Sequence, residues 1–209
     1  MTMPIDPRPL MVEIAHLMYS RSLTNSAGGN ISCRVGDRIY VTPRRLGSSN
    51  RWQLREEMVL VFDADQKPVE GDAALVSRES ALHFACYGEF PEINGVIHAH
   101  ARYLSVFAAA GEPVLPTNEY TEKFGTVEVV RPLPSHSVEL AHAVVDKIRP
   151  RRETLQHNGL GLILAWHGAL AVGRDLADAY DTLDRLEWSA HTLLQLRQAG
   201  MSLHPRQEG

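Results

Sequence analysis

The sequence predicts an α/β fold in which helices cover both faces of a mostly antiparallel sheet. Helix and strand signals alternate along the chain, and a two-residue turn, Gly36-Asp37, joins two strand-like segments as in a β-hairpin. A long apolar periodicity near the carboxyl end indicates a final amphipathic helix. Strand hairpins with helices between them indicate an antiparallel sheet against which the helices pack.

The first half of the chain is predicted to form one helix followed by strands. Apolar residues recur at helical spacing before the turn at 25–29, and they are Leu10, Met11, Ile14, Leu17 and Met18. Strands are predicted at 30–35 and 38–42, on either side of the hairpin turn, and at 58–62, where Asp63-Ala64-Asp65 and Pro68 indicate a turn. We expect antiparallel pairing in this half.

The second half of the chain alternates more regularly between predicted helices and predicted strands. Ser77 is expected to cap a helix from Arg78 to about Glu89, and Pro91 prevents its simple continuation. Further helices are predicted at 104–110 and 138–148, and a long helix begins at Leu176 and ends at Gly200. The other predicted strands are 95–100, 127–130, 160–166 and 169–172.

Length and composition predict one domain spanning residues 1–209, since no repeat, low-complexity tract or Ser/Gly linker interrupts the chain. The chain is 44% hydrophobic and 22% charged, which suits a packed core and excludes disorder and collagen-like repeats. The most apolar run, 160–166, is much shorter than the ~18 residues that a spanning helix needs. No membrane partner is therefore expected.

Charge and cysteine content exclude further classes of protein. A formal net charge of -4 argues against nucleic acid as a partner, because nucleic-acid binding usually requires a basic surface. The first residues lack a basic segment followed by an apolar one, so no secretory signal is expected and the predicted location is the cytoplasm. Neither Cys33 nor Cys86 lies in a Cys-x-x-Cys pattern, which excludes a disulfide framework.

Three of the ten histidines form a candidate metal site. His98 and His100 lie two apart at the end of a predicted strand, so both imidazoles point to one face and can bind one ion. Two such residues alone are equally consistent with exposed or hydrogen-bonded side chains. His167 ends another apolar strand beside Gly168 and supplies a third imidazole. Three neutral imidazoles leave a tetrahedral divalent metal one open position, as in catalytic zinc sites.

Glu79 is a candidate acid/base. It precedes His83 by one helical turn, so the two side chains are expected to share a face at i, i+4 spacing. One interpretation is an ion pair, and the other is a general acid/base held near the metal. The spacing leaves both interpretations open.

Five motifs carry a resemblance to a known family. They are Gly28-Gly29-Asn30-Ile31-Ser32, Thr42-Pro43, Ser77-Arg78-Glu79 with His83, His98-Ala99-His100 and His167-Gly168. In this order and separation, over almost the entire chain, they resemble the class II aldolase/adducin family, and especially the branch typified by L-fuculose-1-phosphate aldolase.

The resemblance implies a three-layer α/β/α fold with a mixed, mostly antiparallel central sheet. It also implies one divalent metal ion per subunit on His98, His100 and His167, with Glu79 as the catalytic acid/base. The implied ion is Zn2+, with Mn2+, Fe2+ or Co2+ as alternatives, and imidazole ligands also suit nickel and copper. The implied assembly is a homotetramer with active sites between subunits.

The chain departs from the family pattern where sugar-phosphate aldolases bind phosphate. Those enzymes have Thr-Gly after Thr-Pro and Ser-Ser before the glutamate, whereas this chain has Arg44-Arg45 and Ser77-Arg78. The planar guanidinium group suits carboxylate as well as phosphate. Arg44, Arg45 and Arg78 are therefore interpreted as substrate-binding residues, with solvated loop charges as the alternative.

Other positions of the family's anion site are retained. Gly29, Asn30 and Ser77 match the family's anion-binding positions, and the Asn30 side chain or a backbone N–H there can donate to an oxyanion. The tail, 201–209, lacks the tyrosine that the family has near its carboxyl terminus. Tyr120 is the candidate proton donor in its place, with packing as the alternative role.

The function implied by the resemblance is that of a metal-dependent lyase. It would cleave a carbon-carbon bond of a small hydroxylated anion, such as a sugar phosphate, through a metal-stabilised enediolate. Decarboxylation of a keto- or aromatic acid yields the same kind of enolate and is the chief alternative. Epimerisation or dehydration of a sugar phosphate also stays open. A non-catalytic, adducin-like scaffold is a further alternative, although it need not retain Glu79 and the three histidines.

Overall fold

The computed structural model describes residues 6–204 and contains an eight-stranded mixed sheet within them. The strands are β1 (Asn30–Val35), β2 (Arg38–Val41), β3 (Leu60–Asp63), β4 (Pro68–Glu70), β5 (Gly95–Ala99), β6 (Glu128–Val130), β7 (Leu160–Leu164) and β8 (Gly168–Gly173). Their order is β4-β3-β2-β1-β5-β8-β7-β6, and all neighbours are antiparallel except β6 and β7. The predicted mixed, mostly antiparallel sheet is confirmed.

Helices cover both faces of this sheet. They are α1 (Arg8–Ser20), α2 (Leu46–Asn50), α3 (Ser80–Glu89), α4 (Leu104–Ala110), α5 (Glu119–Glu122), α6 (Val138–Ile148) and α7 (Leu176–Gln198). One apolar cluster joins α1, α4 and α7 to one face, and a second joins α3 and α6 to the other. The three-layer arrangement is therefore confirmed. Within residues 6–204, no helix is long and apolar enough to cross a membrane.

Successive side chains of β1 and β5 point to opposite faces of the sheet. This alternation determines which side chains reach the candidate site. Ile31 and Ile97 face the α1, α4 and α7 layer, whereas Val96 packs in the α3 and α6 layer. Asn30 of β1 lies directly opposite His98 of β5, so these two buried polar residues share the α3 face. The amino-terminal end of α3 is thereby set against a polar part of an otherwise apolar sheet.

Three predicted boundaries are wrong by about two residues, and one of them is the end of the predicted strand 160–166, which as β7 ends at Leu164. Helix α3 begins at Ser80 and not at Arg78, because a turn precedes it in which the Ser80 N–H donates to the Ser77 carbonyl at 3.0 Å. The Ser77 hydroxyl does accept the Glu79 N–H, at 3.3 Å. Strand β3 begins at Leu60 because Glu56–Met58 forms a 3-10 turn.

Short elements were not predicted. Pro68 was interpreted as a turn residue, but it begins β4, which lies at the edge of the sheet where a missing N–H is tolerated. Helices α2 and α5 span five and four residues, too few for apolar periodicity to be visible.

Candidate active site

The three predicted histidines lie together at one edge of the sheet. His98 is on β5, His100 lies one residue beyond it, and His167 is in the turn between β7 and β8. One ring nitrogen from each lies within 4.8 Å of the other two, and His98 Nε2 is 3.1 Å from His100 Nε2. Two nitrogens bound to one tetrahedral zinc ion are about 3.3 Å apart. The spacing therefore suits ligands of a single small cation.

The protonation of His98 also fits a metal ligand. Its Nδ1 donates to the Ala169 carbonyl at 3.0 Å, which leaves the lone pair of Nε2 directed at His100. Burial lowers the pKa of His98 to about 3, and burial also lowers the pKa of His100. Both imidazoles are thus neutral near pH 7, which is the form that binds metal.

Two glycines allow the backbone to approach these rings. A Cβ atom on Gly168 would lie 2.5 Å from the Ala99 carbonyl oxygen and 3.3 Å from His98 Cε1. The backbone therefore passes close to His98 at the residue after His167. Gly29 has a φ of +107°, and a Cβ there would lie 3.0 Å from the His98 carbonyl oxygen. A larger residue at either position would displace the strand that carries His98.

The Glu79 carboxylate contacts the histidine group directly. Its Oε1 accepts from His167 Nε2 at 3.0 Å, and its Oε2 accepts from Asn30 Nδ2 at 3.1 Å and lies 3.6 Å from His98 Nε2. Burial alone would raise the pKa of Glu79, but the His167 hydrogen bond and the nearby histidines outweigh burial and lower the pKa to about 2. The site therefore places an ionised carboxylate beside the candidate metal ligands.

Of the two interpretations of Glu79, the ion pair with His83 does not form within residues 6–204. Glu79 is the N-cap of α3, one turn before His83, and its carboxylate contacts His167 and His98. His83 instead lies buried, with its Nδ1 2.6 Å from the Ser32 hydroxyl, which is itself 2.8 Å from the Tyr87 hydroxyl. Burial lowers the pKa of His83 to about 3. These contacts indicate a neutral, structural histidine.

A cleft of about 510 Å³ opens beside Glu79. The residues predicted to bind an anion that line it are Gly29, Arg44, Arg45, Ser77 and Arg78, whereas Asn30 lies beneath them and donates to Ser77 Oγ at 3.3 Å. The two arginine loops are joined, since the Arg44 N–H donates to the Leu75 carbonyl at 2.7 Å and Pro43 bridges to Val76. The structure thus brings both predicted anion-binding segments to one cleft.

The three guanidinium groups are available to a ligand. Arg44, Arg45 and Arg78 are exposed, and among residues 6–204 none of them forms an ion pair or a side-chain hydrogen bond. The cleft therefore has a positive rim close to the Glu79 carboxylate.

Tyr120 is not brought to this cleft within one chain. Its side chain is 63% exposed on α5, and it is absent from the described residues that line the cavities beside Glu79. Any contact of Tyr120 with the cleft would have to involve another copy of the chain.

A fourth histidine, His136, reaches the site without having been predicted. It lies in the loop between β6 and α6, and its Nδ1 is 3.8 Å from Glu79 Oε1. Because β6 and β7 are parallel, this loop and the turn that carries His167 leave the sheet at the same edge. In the sequence, His136 is only a histidine in a proline-containing loop before a helix. This pattern does not indicate a site residue unless the parallel pairing of β6 with β7 is known.

Together these residues provide donors for one cation, a carboxylate that can move a proton and a cleft suited to a small anion. Comparison with known proteins gives a consistent result. The family model described as class II aldolase and adducin N-terminal domain matches residues 10–194.

Individual relatives differ in their reactions. The chain is 29% identical over 191 residues to a 3-oxo-tetronate 4-phosphate decarboxylase of Haemophilus influenzae, covering 91% of this chain and 88% of that one. It is 30% identical over 190 residues to an L-fuculose phosphate aldolase of Methanocaldococcus jannaschii, covering 88% and 94%.

A solved structure supports the fold. An L-fuculose 1-phosphate aldolase structure superposes with a TM-score of 0.81 at 24% identity, covering 95% of this chain and 90% of that one. Because the family model spans nearly the whole chain and the fold agrees, the chain belongs to the class II aldolase and adducin family.

Proposed function

We propose that this chain is a metal-dependent lyase that cleaves a carbon-carbon bond of a small hydroxylated anion, such as a sugar phosphate, by aldol cleavage. The observation that carries this proposal is the 3.0 Å contact between Glu79 and His167 at the base of an arginine-lined cleft. One substrate in this cleft can then contact three features: a group that transfers a proton, the ligands of a cation and a rim that binds an anion.

His98, His100 and His167 are the proposed ligands of one divalent ion per subunit. Three imidazoles suit Zn2+ best, and Mn2+, Fe2+ or Co2+ are alternatives. When bound, such an ion supplies Lewis-acid polarisation of the substrate's carbonyl group. The hydrogen bond from His98 Nδ1 to the Ala169 carbonyl keeps the ring oriented for this role.

Glu79 is the proposed acid/base for the substrate carbon that becomes carbanionic when the carbon-carbon bond breaks. Asn30 Nδ2 holds Oε2 of the carboxylate at 3.1 Å, so Oε1 is oriented toward the histidines. The side chain is 15% exposed, and the carboxylate reaches solvent through the cleft that it lines. This position suits transfer of a proton to or from a substrate carbon.

Gly29, Ser77, Arg44, Arg45 and Arg78 are the proposed residues for the anionic end of the substrate. The exposed guanidinium groups provide charge-assisted hydrogen bonds to phosphate or carboxylate. Binding there would hold the substrate in the cleft that Glu79 also lines.

Assembly as a homotetramer completes the proposal. Tyr120, the proposed proton donor, lies outside the cleft of its own chain. It can take this role only at the site of a neighbouring subunit.

Decarboxylation of a keto acid is the second candidate function. Arg78 favours it, because this residue lines both the cleft and a narrow crevice that contains Glu79, His98 and His167. A guanidinium group close to the reacting carbon suits a substrate carboxylate. The similarity to the Haemophilus influenzae decarboxylase also supports this candidate.

A product screen separates the two functions. Purified, metal-loaded protein is incubated with phosphorylated ketoses, with dihydroxyacetone phosphate plus aldehydes, and with phosphorylated keto acids, and products are identified by NMR. Formation or cleavage of an aldol supports the main proposal, whereas carbon dioxide release without an aldehyde supports the second. Protein carrying Glu79→Gln, prepared in parallel, controls for contaminating enzymes. No turnover of any class would contradict both candidates.

A further inference from the structure

His136 occupies an unusual backbone conformation. Its φ is +73°, in the left-handed region that residues with a Cβ atom rarely adopt. The Ser137 N–H donates to the Pro134 carbonyl at 3.2 Å, and Ser137 Oγ caps α6 by accepting the Leu140 N–H at 3.0 Å. The turn and the cap together hold this conformation. Strained residues of this kind are concentrated at functional sites.

The imidazole lies where the two cavities of the site meet. It lines the narrow crevice with Glu79, His98 and His167, and it also lines the cleft with the three arginines. Its Nδ1 is 3.8 Å from Glu79 Oε1, and 33% of the side chain is exposed. The ring can therefore contact a substrate in the cleft while one of its nitrogens stays near the carboxylate.

Aldol cleavage needs two proton transfers, and Glu79 accounts for one of them. The hydroxyl group on the departing fragment must lose a proton, and the carbon left behind must gain one. In one chain, Tyr120 lies outside the cleft, whereas His136 lines it. His136 is thus placed for the transfer that Glu79 does not perform.

We propose that His136, in place of Tyr120, is the catalytic base that takes the proton from the hydroxyl group of the departing aldehyde. As this proton moves to the imidazole, the O–H electron pair forms the aldehyde C=O bond and the carbon-carbon bonding pair moves toward the neighbouring carbonyl. The imidazolium passes the proton to Glu79 Oε1 once their 3.8 Å separation closes to hydrogen-bond length in the substrate complex, and Glu79 delivers it to the carbanionic carbon. One proton is carried from oxygen to carbon, and no co-reactant is consumed.

This inference rests on the aldol form of the proposed function. The test distinguishes a failure of the His136 role from a failure of the aldol proposal itself. The metal-loaded protein is given dihydroxyacetone phosphate in D2O, with and without glycolaldehyde. Deuterium exchange into the ketone alone requires removal of a carbon-bound proton, which is the proposed task of Glu79. Addition to the aldehyde also requires a proton at the new hydroxyl group, which is the proposed task of His136.

His136→Asn is the main variant, because asparagine tolerates a positive φ but cannot carry a proton. We expect kcat for aldol addition to fall by about 10²- to 10⁴-fold, with KM and deuterium exchange within about threefold of wild type. His142→Asn is the matched control, since His142 is exposed on the outside of α6, and it should leave both reactions unchanged. Glu79→Gln should lose both reactions.

His136→Gly allows a second measurement, in which free imidazole in solution replaces the missing proton carrier. Glycine relieves the positive φ, and added imidazole should restore part of the aldol addition. Normal addition in His136→Asn, equal losses of exchange and addition, or absence of rescue by imidazole would each overturn the role of His136. A wild-type protein that neither exchanges nor adds would instead overturn the aldol proposal, and this inference with it.

Discussion

Oε1 of Glu79 accepts a hydrogen bond from Nε2 of His167 at a distance of 3.0 Å. The contact joins the N-cap residue of α3 to the turn between β7 and β8, and the two residues are 88 positions apart in the sequence. It places the proposed acid/base beside a proposed metal ligand while keeping the two roles on different residues. Proton transfer and metal retention can therefore be tested by separate substitutions.

Replacing Glu79 by glutamine should abolish turnover without removing the metal. The amide is nearly the same size and its single oxygen can still accept from either His167 or Asn30, but it cannot exchange the proton. We expect kcat to fall by about 10²- to 10⁴-fold while the metal content stays that of wild type. Glu92→Gln, at the surface where Glu92 pairs with Arg152, is the control. Near-normal kcat in Glu79→Gln would reduce Glu79 to a structural role.

Removing the three histidines should remove the metal. The triple variant, with alanine at His98, His100 and His167, keeps none of the nitrogens that converge at this edge of the sheet. Elemental analysis after dialysis should give one divalent ion per wild-type subunit and none in the variant, with circular dichroism to confirm folding. A folded triple variant that retains stoichiometric metal would place the ion elsewhere.

Elements with long, regular patterns were predicted well from the sequence. The predicted bounds of α4 and α6 agree with the structure, because each contains an apolar repeat limited by helix-ending or helix-capping residues. The grouping of His98 and His100 follows from strand alternation alone. The position of His167 beside this group depends on the antiparallel pairing of β5 with β8, which strand alternation does not reveal.

The residues that were misjudged depend on contacts that a single sequence does not show. Glu79 was expected to share a helix face with His83, but its carboxylate contacts His167, which is 88 residues away in the sequence. His136 reaches Glu79 only because β6 pairs parallel to β7. Such a pairing is set by packing across the whole sheet and leaves no local pattern.

Buried neutral histidines should make the protein sensitive to mild acid. The pKa of His83 is about 3 in the folded protein, below the ordinary 6.5, because burial penalises its charged form. Between these values the unfolded chain binds more protons, so stability is greatest above pH 6.5 and falls as pH decreases. Each such group lowers the free energy of unfolding by about 1.4 kcal/mol per pH unit in this window.

The contribution of His83 can be measured with His83→Asn. Between pH 7.5 and pH 5.5, urea unfolding in EDTA should show a total loss of stability about 1.4 kcal/mol smaller in the variant than in wild type, whatever the offset in stability. His142→Asn, an exposed position, should show the same loss as wild type. Equal losses for wild type and His83→Asn would show that His83 is not held neutral by folding.

A homotetramer should form in solution. Trp166, beside His167, is 83% exposed, and Trp188 of α7 is 57% exposed, so both offer aromatic surface to a second copy. Light scattering should give a mass about four times the 23.3 kDa of one chain, and specific activity should fall on dilution below the association range. A fully active monomer would contradict this expectation and exclude a role for Tyr120 across an interface.

The arginines of the cleft should determine which substrates are accepted. Arg44, Arg45 and Arg78 are exposed at the cleft and have no ion-pair partner among residues 6–204, so an anionic substrate would not have to displace an existing ion pair. One charge-assisted contact contributes about 1.5–3 kcal/mol, so truncating the contributing residue to alanine should lower kcat/KM roughly ten- to hundredfold. The loss should be largest for anionic substrates and small for neutral analogues.

The comparison of substrates separates recognition from damage to the fold. Each alanine variant is assayed with an anionic substrate and its neutral analogue, beside Arg55→Ala, whose guanidinium pairs with Glu57 at an exposed surface site. A selective loss at Arg78 alone would indicate an anion close to Glu79, as the decarboxylase alternative requires. A selective loss at Arg44 or Arg45 would indicate an anion at the far end of the cleft, as a sugar phosphate requires. If all three variants treat both compounds as the wild type does, the arginines are solvated charges and the anionic substrate class is wrong.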